Sequence, residues 1–114
     1  MSNDLFLKII QREIPADIVF ENDDILAFRD ISPQAPIHIL IIPKRRIPTI
    51  NDAAAEDAEL IGRMVLVAKE LAAEAGVSES GYRLVFNCND QGGQSVYHIH
   101  LHLLAGRQMD WPPG

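Results

Sequence analysis

The run Tyr97-His98-Ile99-His100-Leu101-His102-Leu103-Leu104 constrains this chain more than any other stretch. Imidazoles alternate there with aliphatic side chains, and strict alternation is the period of a half-buried β-strand. On a strand over 97–104, His98, His100 and His102 share one face, and Ile99, Leu101 and Leu103 anchor the other. The chain has four histidines, and the remaining one, His38, falls in the other strongly β-like apolar run. Every imidazole thus lies in one of two strands, which points to a joint use.

The 114 residues suit one domain, 1–114, able to bury a core without disulfides or metals. With 47% hydrophobic and 23% charged residues, the composition is globular rather than disordered. A net charge of −6 and a pI near 5.0 argue against general nucleic-acid or anionic-membrane binding, although local donors can still hold an anionic ligand. The single cysteine, Cys88, has no internal partner, which favours a reducing compartment. No apolar run approaches the roughly 18 residues of a membrane span. Nor does Met1-Ser2-Asn3-Asp4-Leu5-Phe6 carry a signal pattern. The expectation is a soluble cytoplasmic protein.

Leu5, Phe6, Ile9 and Ile10 are spaced for a short helix over 3–12, with Ser2 or Asn3 as N-cap and Pro15 helping to stop it. Residues 17–21 and 25–30 read as strands joined by an Asn22-Asp23-Asp24 turn. A two-proline loop, Ser32–Pro36, leads into a strand over 38–42 that ends at Pro43 and the basic Lys44-Arg45-Arg46. From 54 to 75 the period becomes helical, with Leu60, Ile61, Met64, Val65, Ala68, Leu71 and Ala72 in one stripe, widened by Leu66 and Val67. Gly76 is placed to terminate that helix. Residues 82–88 form a strand with Tyr82, Leu84, Phe86 and Cys88 on one face. The short polar loop 89–95 makes this strand an antiparallel partner of the histidine strand. The tail, with Trp111 and two prolines, is too apolar for a solvated end and is expected to dock.

The residues themselves admit three readings of the histidines. Isolated buried histidines are mostly structural, but three on one face offer each other few partners and disfavour protonation. A metal site suits imidazoles two apart on a strand. However, positions four apart are about 13 Å distant, and no cysteine pair or nearby Glu completes a ligand set. Nucleophilic catalysis on phosphorus is the third reading, since neutral imidazole is nucleophilic near neutral pH. The loop Gly92-Gly93-Gln94-Ser95 favours it, because exposed N–H groups and a hydroxyl can hold phosphate oxygens.

His98-Ile99-His100-Leu101-His102-Leu103-Leu104 resembles the His-φ-His-φ-His-φ-φ pattern of the histidine triad (HIT) superfamily. The resemblance runs over almost the whole chain, through Phe6–Ile10, Glu13–Ala16, Ala27–Pro36 and Gly92–Tyr97. The ending Gly106–Gly114 looks like the Hint branch, the histidine triad nucleotide-binding proteins. This resemblance implies an α+β, HIT-like fold: a five-stranded antiparallel sheet with two helices per protomer, and a ten-stranded sheet in a homodimer. It also implies binding of purine nucleoside monophosphates and hydrolysis of P–N bonds in adenosine phosphoramidates through a nucleotidyl-histidine intermediate, with no cofactor. By position, His100 matches the family nucleophile, and His98, His102 and His38 match its supporting histidines. Asn87, Gly93, Ser95 and Val96 match phosphate and leaving-group contacts, Asp30 the ribose-hydroxyl acceptor, and Phe6, Ile9, Ile14 and Ile31 the base-pocket walls.

Two departures stand out. Some family members hold a structural zinc through an N-terminal cysteine pair and a histidine in the basic turn. Asp4, Leu7 and Arg46 occupy those places here, so no metal is expected. Arg29 and Asp110 stand where the Hint pattern has histidines, which changes the charge at the rim. A dinucleoside polyphosphate hydrolase and a nucleotide-binding regulatory scaffold remain alternatives, although His102 at the third triad place favours hydrolysis over nucleotidyl transfer.

Overall fold

A computed structural model describes residues 4–114. Its centre is a five-stranded antiparallel sheet in the order β1-β2-β3-β5-β4, formed by β1 (Ile18–Glu21), β2 (Ile25–Arg29), β3 (Ile37–Pro43), β4 (Tyr82–Phe86) and β5 (Leu101–Ala105). Two main helices pack on it, α1 (Leu5–Ile10) and α2 (Ala58–Glu74), and a single turn, α3 (Asn89–Gly92), follows β4.

Alternation sorts side chains onto the two faces of the sheet. Ile25, Ala27, Ile39, Ile41, Leu101 and Leu103 form a core with Met64, Ala68 and Leu71 of α2. Leu26, Phe28, Leu40 and Ile42 point the other way and meet Phe6 and Ile9 of α1. Helix α1 is therefore laid over the face that also carries His38 and His102.

Local signals explain most boundaries. The Asn22 side chain accepts from the amides of Asp24 and Ile25 at 2.9 and 2.7 Å, which closes the β1–β2 turn as an Asx turn. Helix α2 ends in a Schellman motif: Gly76 has φ +76°, and the Gly76 and Val77 amides reach the Ala73 and Ala72 carbonyls at 3.1 and 3.0 Å. A 3-10 turn, Ala55–Asp57, takes up the first part of the helix expected from residue 54, and another, Ile50–Asp52, precedes it. Met64, Val67, Ala68, Leu71 and Ala72 are its buried residues, whereas Val65 and Leu66 face outward.

The N-terminal helix departs from expectation at both ends. Ser2 and Asn3 lie outside the described residues, and the cap is Asp4, whose carboxylate accepts from the amides of Phe6 and Leu7. The helix ends well before Pro15, in a turn where Arg12 takes a left-handed φ of +63°.

The histidine strand also differs. Its ladder begins only at Leu101, opposite Ile41 and Phe86. Beyond Ile41 the neighbour runs into Pro43, which has no amide proton to offer. On the other side β4 gives way to α3. The alternation survives without the ladder, because Ile99 still joins the α2 core, while His98 and His100 lie edge-on to Phe6 of α1.

Candidate active site

A cavity of about 240 Å³ opens on the α1 face of the sheet. Phe6, Ile9, Ile14, Asp30, Ile31, Ser95, Val96, His100 and His102 line it. All nine come from the expected set. The structure adds Leu5, Pro15, Ala16, Phe28, Arg29 and Leu40. Phe28 and Leu40 gave no signal of their own, since β2 and β3 are buried on both faces and their sequences do not reveal which side a residue takes. Ile31 is 94% exposed at the rim, an apolar side chain standing in solvent beside an apolar hollow.

Four other expected residues, Asn87, Gly93, His38 and His98, are not among those that line it. Asn87 lines a separate groove beside β4 together with Trp111. Gly93 caps α3 with φ +82°. The loop after it is pinned by the buried Gln94, whose amide donates to the carbonyls of Pro48 and Val96 at 2.7 and 3.1 Å, while its Oε1 accepts from the Asn89 amide at 2.8 Å. That anchoring presents Ser95 and Val96 to the cavity; Gln94 was expected only as part of the polar loop, and its pinning role depends on Pro48, far away in the sequence.

The four imidazoles form two linked pairs. In the first, Nδ1 of His100 donates to the carbonyl of His98 at 2.8 Å, which leaves the lone pair on Nε2. Burial, ahead of the positive influence of His98, pulls the pKa of His100 below the ordinary imidazole value. In the second, the Gln34 amide donates to Nδ1 of His38 at 3.0 Å, so the His38 proton sits on Nε2. That proton is donated to Nδ1 of His102 at 2.9 Å, which puts the His102 proton on its own Nε2. This Nε2 is the one buried side-chain nitrogen or oxygen without a partner among the described residues. Burial, then the neighbouring His100 and His38, holds the pKa of His102 down to about 4. Burial also lowers that of His38, against the opposing pull of Asp30.

The site therefore sets a neutral imidazole with a free ring nitrogen beside a second one that offers a proton. The ring centroids of His100 and His102 are 5.0 Å apart. Asp30 closes the polar end: one carboxylate oxygen accepts from the Ser32 amide at 2.8 Å, and the other lies 3.5 Å from Nε2 of His38. Asp30, His38 and His102 each bring one possible ligand atom within 4.8 Å of the others. The two imidazole atoms among them are already joined by the shared proton.

The HIT domain family matches residues 11–109. This chain belongs to the HIT domain family. It is 59% identical over 105 residues to the purine nucleoside phosphoramidase of Escherichia coli K12, covering 92% of this chain and 88% of that protein. Over the full length of both chains it is 56% identical to an uncharacterized HIT-like protein of Synechococcus elongatus. Among solved structures, a HIT family hydrolase from Legionella pneumophila superimposes with a TM-score of 0.96 at 65% identity, covering 98% of this chain and 100% of that one. A HIT family hydrolase from Clostridium thermocellum gives 0.92 at 40% identity, with 96% of each chain covered. The HIT histidines of this chain are thus built into a fold shared closely with hydrolases.

Proposed function

We propose that this HIT protein is a purine nucleoside phosphoramidase. The observation that carries the reading is the His100 ring: its Nδ1 is held by the His98 carbonyl, and its Nε2 side belongs to a cavity with apolar walls and a carboxylate at one end. A flat aromatic base suits the walls Phe6, Ile9, Ile14 and Ile31. Asp30 accepts from ribose hydroxyls, and the phosphate lies over His100 between Ser95 and His102. The 59% identity to the Escherichia coli enzyme supports the same choice.

In the first step Nε2 of His100 bonds to the α-phosphorus, the P–N bond breaks, and the amine leaves with a proton taken up from solvent, while the His100 ring keeps its Nδ1 hydrogen. His102, with its proton on Nε2, and the Ser95 hydroxyl stabilise the phosphate oxygens and the departing group. In the second step water adds to phosphorus and the Nε2–P bond breaks. This releases the nucleoside monophosphate, a proton and neutral His100. Neither step calls on a metal or other cofactor.

The protein acts as a homodimer. Strand β4 is an edge of the sheet and would pair with its counterpart to give ten strands. The outward Val65 and Leu66 of α2 and the 82% exposed Trp111 supply apolar area for a second copy. No helix among the described residues is long and apolar enough to cross a membrane, which suits a soluble cytoplasmic enzyme.

The test is hydrolysis of an adenosine phosphoramidate, with a diadenosine polyphosphate in parallel. Rapid release of AMP from the first alone is expected. His100→Ala should lose several orders of magnitude in kcat while still binding AMP. Near wild-type turnover by His100→Ala, or cleavage of the polyphosphate alone, would overturn the assignment.

A further inference from the structure

The backbone that orients His100 is held by contacts outside the sheet ladder, because residues 97–100 precede the first ladder pair of β5. Nε of Arg46 donates to the Tyr97 carbonyl at 3.1 Å, and the Ile99 amide donates to the Ile47 carbonyl at 2.8 Å. The His98 ring is clamped at both nitrogens: Nε2 lies 2.7 Å from the Pro43 carbonyl and Nδ1 lies 2.8 Å from Oδ2 of Asp4. Proton counting then fixes the state of that ring. A carbonyl only accepts, so Nε2 carries a hydrogen. Asp4 has no room for a proton of its own. Oδ1 takes the Phe6 and Leu7 amides at 3.0 and 3.1 Å, and Oδ2 is ion-paired with the Arg46 guanidinium, whose Nε lies 3.0 Å away with its hydrogen given to the Tyr97 carbonyl. The start of α1 and the guanidinium both favour the carboxylate. Nδ1 of His98 must therefore carry a hydrogen as well, and a fully buried imidazolium faces a nearly buried carboxylate.

We propose that Asp4, braced by Arg46, is a positioning residue: it keeps His98 as a doubly clamped imidazolium, and so fixes the carbonyl that aims Nε2 of His100 into the cavity. The same carboxylate caps α1, whose Phe6 ring lies 4.9 Å from that of His100. One side chain thus registers a pocket wall against the reacting ring. The positive charge on His98 also opposes a second proton on His100, in addition to the larger effect of burial. This role rests on reading His100 as the nucleophile.

Asp4→Ser and Asp4→Asn separate the charge from the cap, because Ser and Asn both cap helices well and neither can hold two cationic donors. Nitrogen-resolved NMR of the imidazoles at neutral pH should show two ring protons on His98 in the wild type and one in both variants. The resonance of the His100 Nδ1 proton should broaden or shift with that loss. On an adenosine phosphoramidate, kcat should fall roughly tenfold to a hundredfold, with KM nearly unchanged. A wild-type His98 bearing one ring proton would overturn the proposal, as would a folded variant with wild-type kcat. Should the wild type not cleave the phosphoramidate, the function reading fails alone. The His100 Nδ1 resonance then decides, and its indifference to Asp4→Asn would sink the positioning role.

Discussion

At the scale of single residues, two backbone groups and one imidazole set the tautomers at the site. The Gln34 amide fixes His38, His38 fixes His102, and the His98 carbonyl fixes His100. The arrangement keeps both rings at the cavity neutral at physiological pH, and it has a consequence for stability. In the unfolded chain His102 takes a proton near 6.5, whereas in the fold it does so only at about 4. Between those values the unfolded state binds more protons, so stability falls as the pH falls through that window. His38 and His100, also held below the ordinary imidazole value, act in the same direction. Replacing His102 by Asn, whose side-chain oxygen can still accept from His38, should flatten this loss. Urea midpoints at pH 7 and pH 5 give the comparison, and equal losses in wild type and variant would contradict the account.

At the scale of elements, the site depends on β3 and β5 meeting in one register. Leu40 opposes His102 and His38 opposes Leu104, which places the two histidines diagonally on one face. The pairing ends at Ile37 and Ala105. Just beyond it Gly106 has φ +95°, and a Cβ added there would lie 2.8 Å from Cβ of Pro36. Gly106→Ala therefore meets two costs, a left-handed backbone and a clash with a stiff ring, and should destabilise the fold by about 1–3 kcal/mol. A urea or thermal midpoint unchanged by Gly106→Ala would show that this end of the ladder is loose. The main strands and helices were legible beforehand, from alternation in β5, helical spacing in α1 and α2, and unbroken apolar runs bounded by turns in β2 and β3. The start of the histidine ladder was not, because it depends on Pro43 standing in the neighbouring strand.

At the scale of the whole molecule, one chain presents an unpaired edge strand, an outward apolar patch on α2, and a tail whose Trp111 sits 6.0 Å from the Arg83 guanidinium. The proposed dimer would use all three, with its tail expected to reach the partner's leaving-group side. Light scattering at micromolar concentration should give the mass of two chains. Deleting residues 109–114 should change kcat/KM for bulky amine leaving groups more than for ammonia. A fully active monomer, or a truncation blind to amine size, would count against that arrangement.

The sequence by itself determined the five strands and two main helices, the antiparallel pairing across a short loop, and nine of the fifteen residues that line the cavity. Periodicity, turn chemistry and one extended motif are local, and they are written in neighbouring letters. Only the tertiary structure decided that Phe28 and Leu40 face the cavity, that Gln94 pins its loop, and that Asp4 joins a helix start to His98. Those facts depend on distances between residues as far apart as Asp4 and His98. No local pattern encodes such a distance until the sheet and helix have packed.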